Sequence, residues 1–265
     1  MSCSPVSLSN THTHRHLKVR PAPPHAASHA AVALSGAILE ANTLYCARGP
    51  EGCGTTLISA ALVGGGSEAG RRTLVVANVG DSRAVLCAGD GQPVALSDDH
   101  KPDRADERKR VEALGGVVHK NIPGFAGALP DWMAPGELPY RVYHANGEGG
   151  LAMSRAIGDA GLAPLVVADP EVTTRVLRED DKFVVLASDG VWDVLTNKEV
   201  CKIGEYYMNP PPPPDHDSGG RAQALPASGR NPAASLWAKE AAACIVRVSI
   251  KRGSSDNVTA MVVAL

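Results

Sequence analysis

Four aspartates of this 265-residue chain stand where loop carboxylates could meet at the ends of buried strands. Asp189 follows the apolar run Phe183-Val184-Val185-Leu186-Ala187, and Asp193 comes one helical turn later. Asp256 sits in a Gly/Ser loop within GSSDNVTAMVVAL, directly before a second apolar run. Asp99 lies in LSDDHKPD, beside Asp98 and His100, in a loop between a strand and a helix. A carboxylate at the end of a buried strand is costly unless a cation or hydrogen-bond donors meet it. Gly190, next to Asp189, lets another stretch of backbone approach closely. Taken singly, each aspartate is a common turn former or helix cap. Taken together, loop carboxylates without paired His or Cys suit a hard divalent cation, Mg²⁺ or Mn²⁺, and not zinc.

Two other patterns could carry chemistry and are weaker. GPEGCGTT, Gly49 to Thr56, has the glycine spacing of a phosphate-binding loop, but Thr55 stands where that motif needs lysine. His12, His14 and His16 alternate, yet nothing around them is strand-like. A solvated tail is the better reading there.

The elements that must position the aspartates can be read from apolar spacing. A tail is expected over residues 1–28, polar, Pro-containing and free of acid; the same composition is compatible with an organelle import signal. Helical spacing follows from His29 to Cys46. TLVVANVGDSRAVLCAG reads as a hairpin, with strands Thr73–Val79 and Arg83–Ala88 around Gly80-Asp81-Ser82. Asp103 is placed to cap a helix running to Leu114, and Val117-Val118 starts an extended segment. Strands are expected at Phe183–Ala187 and Val258–Ala264, and helices at Asn197–Met208 and Ala233–Ile250. Flexible insertions are expected at 121–146 and 209–232.

Composition narrows the function. A formal charge of −2 implies neither a nucleic-acid nor a membrane partner. No apolar stretch is expected to approach the length of a membrane span. The six cysteines are scattered, without a Cys-x-x-Cys pair, which fits reduced thiols in an intracellular protein.

Seven stretches in order make the chain resemble the type-2C (PPM) family of metal-dependent protein serine/threonine phosphatases. They are Gly52-Cys53-Gly54-Thr55-Thr56, ANVGDSRAVL, LSDDHKPDRADERKRVEALGG, LAMSRAIGD, VVADPEVT, FVVLASDGVWDVLTNKE and RGSSDNVTAMVV. The resemblance implies an α+β fold over 29–265, two packed antiparallel sheets with helices on their outer faces. It implies a phosphoprotein substrate, a Mg²⁺ or Mn²⁺ pair, and a metal-activated water that attacks the phosphorus. Asp189 and Asp256 resemble ligands of the pair, and Asp99 and Asp193 those of a third site alongside Asp189. Asp81 and Asp159 are assigned to turn geometry, and Arg155 to a structural salt bridge. The protein is expected to be monomeric, soluble and intracellular.

The family's upstream Asp-Gly-His-Gly stretch, which bridges the metals, has no counterpart: residues 1–80 contain no aspartate. The domain is therefore expected to be incomplete at its N-terminus, with an unpaired sheet edge. Ligand counting then predicts weak binding of a single ion and little hydrolysis. The alternative reading is a catalytically impaired pseudophosphatase that binds phosphoproteins or regulators.

Overall fold

Apolar runs covered on both faces build the centre of the molecule. The computed structural model describes residues 25–49, 52–64, 72–120, 138–210 and 232–265. Its first half holds α1 (His25–Arg48), β1 (Gly54–Thr55), β2 (Leu57–Val63), β3 (Thr73–Val79), β4 (Arg83–Cys87) and β5 (Pro93–Ala95). Then come α2 (Ala105–Ala113), β6 (Val117–His119), β7 (Arg141–Tyr143), β8 (Gly149–Leu151) and β9 (Ile157–Gly158). The remainder is β10 (Glu171–Val176), β11 (Phe183–Ala187), α3 (Asp189–Trp192), α4 (Asn197–Met208), α5 (Pro232–Lys251) and β12 (Ala260–Ala264).

Two antiparallel sheets pack face to face, ordered β10-β3-β2 and β12-β11-β4-β5. Leu74 and Val76 of one sheet meet Ala84, Leu86 and Val184 of the other in a shared core. α1 covers the outer face of the first sheet through Ala27, Ala31 and Ile38, against Val75, Ala77 and Val79. On the outer face of the second, Val200 of α4 and Ile245 of α5 pack against Val85, Phe183 and Val185. The expected α+β sandwich is thus present, and two small sheets, β6-β7-β8 and β1-β9, are added to it. β2 and β12 are edge strands, and an apolar cavity of about 530 Å³ opens between them, lined in part by Leu57, Leu62, Met261 and Val263.

Several expectations need correction. β3 and β4 do not form a hairpin: β3 pairs with β2 and β10, whereas β4 pairs with β11 and β5. Gly80-Asp81-Ser82 carries the chain from one sheet to the other. Gly80 adopts φ +100°, and a Cβ there would lie 2.4 Å from Thr56 Cγ2, so glycine is required. The first residue before α2 is Arg104, not Asp103, and no side chain caps that helix. α4 instead carries a reciprocal capping box, Thr196 with Glu199.

α1 begins at His25, inside the expected tail, and residues 1–24 lie outside the described residues. So do 121–137 and 211–231, most of the expected insertions; β7 lies within the remainder of the first. α1 is also long and apolar enough, by length and composition, to cross a membrane, which the sequence reading did not anticipate. Here its alanine-rich stripe packs on the first sheet. Finally, Cys87 and Cys201 form a disulfide between β4 and α4, against the expectation of reduced thiols. Both are fully buried in one core although 114 residues apart, so spacing carried no sign of the pairing.

Candidate functional site

β11 delivers its carboxylate at its C-terminal end. Asp189 opens α3, and its Oδ1 accepts a hydrogen bond from the Gly190 N–H at 2.9 Å. The loop before β12 is laced to this turn. Ser188 Oγ donates to the Asn257 carbonyl at 3.0 Å, and the Ser188 N–H to the Thr259 carbonyl at 3.1 Å. Ser254 Oγ donates to the Gly190 carbonyl at 2.7 Å. A Cβ on Gly190 would lie 2.6 Å from the Asn257 carbonyl oxygen, so this glycine is what lets the two backbones close up. Asp256, in the laced loop, accepts from its neighbour Asn257 N–H at 2.6 Å.

The remaining predicted residues join from two sides. Asp193 follows α3 directly, its N–H donating to the Asp189 carbonyl at 2.8 Å. Asp99 is gripped by Arg83, with Nε to Oδ1 at 2.9 Å and Nη2 to Oδ2 at 2.7 Å. Arg83 is itself held by Asn197 and lies over the Trp192 ring. The sequence reading missed two members. Asp81, assigned there to turn geometry, is a buried carboxylate at the sheet-to-sheet corner, and Lys101 Nζ lies 2.6 Å from its Oδ2.

These groups act on one another's charge. Burial pushes the Asp189 carboxyl upward, and the charges of Asp81, Asp256 and Asp193 add to the push while Lys101 opposes it. Asp193 is also raised, by burial and then by Asp81, Asp256 and Asp99, again opposed by Lys101. The structure therefore gathers Asp189, Asp193, Asp256 and Asp99, together with Asp81, at one end of the sandwich.

The donors fit a hard divalent cation in kind, being carboxylates in excess over cations. In arrangement they are an incomplete set. Among the described residues no three Asp, Glu, His or Cys side chains converge as a coordination set. Asp99 and Asp81 are moreover engaged by Arg83 and Lys101.

A second ionic cluster lies nearby and has the opposite balance. Glu107 of α2, 1 % exposed, meets Arg155 at 2.6 Å, Arg110 at 2.8 Å and Arg104 at 3.5 Å. Ser154 Oγ donates to it at 2.6 Å. Burial alone would raise this carboxyl; Arg155 and Arg110 override it and hold Glu107 far below the usual carboxylate range. Arg155 thus takes the structural role expected of it. Asp159 sits in a left-handed turn, φ 49°, as its assignment to turn geometry required.

An α+β sandwich with helices on both outer faces and an acidic cluster at its strand ends defines the class of protein. Residues 7–258 match the family "Protein phosphatase 2C". The chain belongs to that family. It is 44% identical over 192 residues to protein phosphatase 2C 50 of Oryza sativa subsp. japonica, covering 72% of this chain and 43% of the relative. It is 43% identical over 195 residues to protein phosphatase 2C 77 of Arabidopsis thaliana, covering 72% and 40%. The chain thus spans about two-fifths of the length of these curated relatives. Among solved structures, a phosphatase from Toxoplasma gondii superposes with a TM-score of 0.58 at 22% identity, covering 91% of this chain and 78% of that one. That likeness is one of fold.

Proposed function

We propose that this protein serves the dephosphorylation of phosphoserine and phosphothreonine in proteins, in a Mg²⁺- or Mn²⁺-dependent reaction centred on Asp189. The observation that carries this reading is the lacing of the Asp256 loop onto the Asp189–Asp193 turn at the end of β11 in a member of the protein phosphatase 2C family. Asp189 and Asp256 are the candidate ligands at the core of the site, and Asp99 and Asp193 those at its rim. A divalent ion bound there would supply a water activated for attack on phosphorus. The described residues alone offer it an incomplete donor set. The phosphoprotein partner and a soluble intracellular setting belong to the same proposal.

One observation favours a second reading, a pseudophosphatase that binds phosphoproteins without turning them over. Two of the cleft's carboxylates, on Asp99 and Asp81, already carry tethered cations as partners. Phosphate release from a phosphothreonine peptide in Mn²⁺ separates the two. Release that is lost in Asp189→Ala supports the phosphatase. No release above the Asp189→Ala background, with the peptide still bound, contradicts it and supports the second reading.

A further inference from the structure

Asp81 is a carboxylate almost wholly withdrawn from water, its side chain 3% exposed, and Lys101 meets it at 2.6 Å. Such a charge is tolerated only with a partner or a metal. The position of Lys101 is fixed by the residue before it. His100 is fully buried; its N–H donates to the Gly80 carbonyl at 3.0 Å, and its Nδ1 accepts from the Gly80 N–H at 3.0 Å. The Ser154 N–H donates to the His100 carbonyl at 2.8 Å. This clamp joins residues 100 and 80 across the sheet corner and so sets Lys101 over Asp81. From there the charges of Asp193 and Asp99 also favour the ammonium, which offsets part of the repulsion felt at Asp189.

We propose that Lys101 is the resident counter-ion of the acidic cleft: its ammonium stands in for a divalent cation beside Asp81, Asp189 and Asp193. The fold then holds without metal, and Lys101 keeps the affinity of these carboxylates for a divalent ion low. Two charges repel at short range whether the second is a proton-bearing nitrogen or a metal ion, so occupancy by one disfavours the other. One buried carboxylate of the cluster is thus already neutralised from within. The inference shares the site of the proposed phosphatase but not its chemistry. Its test uses no substrate, so its failure is distinguishable from the failure of that reading.

The test is thermal unfolding and calorimetric titration of the whole 265-residue chain with MnCl₂, as wild type, Lys101→Met and Lys101→Arg. Methionine keeps much of the apolar stem and removes the charge. Wild type and Lys101→Arg should unfold at nearly the same temperature in EDTA and in Mn²⁺. Lys101→Met should lose roughly 5 °C in EDTA, regain most of it in Mn²⁺, and bind the ion at least about tenfold more tightly than wild type. Equal or weaker Mn²⁺ binding by Lys101→Met would overturn the proposal. Should Lys101→Met not fold in EDTA, the Asp81→Asn/Lys101→Met double variant decides. It folds if the loss was one of charge balance; if it too is unfolded, Lys101 acts by packing and the proposal is wrong.

Discussion

Two ionic clusters sit on the same sandwich and differ in what surrounds the carboxylate. At Glu107 one buried acid meets three arginines and a serine hydroxyl, and its ionised form is strongly favoured. At Asp189 one acid meets three others, with Lys101 as the opposing cation, and its ionised form is disfavoured. The first arrangement stabilises the fold and leaves no charge available for chemistry. The second is held under repulsion by the strand ends and the laced loop, and that is the state in which a cation or a phosphoryl group has something to gain by binding. The contrast separates a structural cluster from a functional one by physics rather than by residue type.

The largest test of this contrast is Glu107→Gln. It leaves buried guanidinium groups without their shared carboxylate, and breaking such a set costs roughly 3–5 kcal/mol. Thermal unfolding should fall by roughly 10 °C. A fall of a degree or two would show that the cluster is not structural.

Acid should act on the two regions with opposite sign. Burial pushes Glu171 upward, yet neighbouring His100 and Arg104 hold it at about 2, below its ordinary 4.5. Its stabilising contribution, like that of Glu107, is present above pH 4.5 and lost as pH falls toward 2. Asp189 and Asp193 are raised above 3.8, so the folded state takes up their protons first. Their repulsion is relieved as pH falls from neutral toward that value, which adds stability. Urea denaturation across pH should therefore show a shallow rise before the steep acid loss. Glu107→Gln should flatten the loss and Asp189→Asn should lessen the rise; a curve without these two components would merge the clusters into one.

Salt gives the smallest effect. At about 0.5 M NaCl the screening length is about 4 Å, enough to weaken repulsion in the half-open cleft and not within the buried Glu107 cluster. Wild type should gain a few tenths of a kcal/mol, roughly, and Asp189→Asn should gain less. An equal gain in both would place the repulsion elsewhere.

Much of this was legible in the sequence. The run Phe183–Ala187 and the helix Asn197–Met208 have their observed bounds, because each is a clean apolar pattern with a turn or a cap at its end. Gly190 was read correctly as a point of close approach. Asp81 was missed for a tertiary reason. A hairpin and a corner between two sheets present the same pair of apolar runs around a short polar turn. Only the pairing of β3 and β4 with different neighbours shows that Asp81 turns inward. Lys101 was missed with it, since an ion pair across 20 residues leaves no spacing signature. The Cys87–Cys201 bridge escaped for the same reason at greater distance.

The claim on which the account turns is that the cleft around Asp189 is strained by its own charges. Urea denaturation of Asp189→Asn beside wild type, at pH 7 in EDTA and low salt, reads that sign directly. Removing one of the repelling charges should leave stability unchanged or raise it by up to about 1 kcal/mol, the half-exposed position limiting the gain. A clear loss of stability, in the manner expected of Glu107→Gln, would mean that Asp189 is a structural partner and would contradict the account.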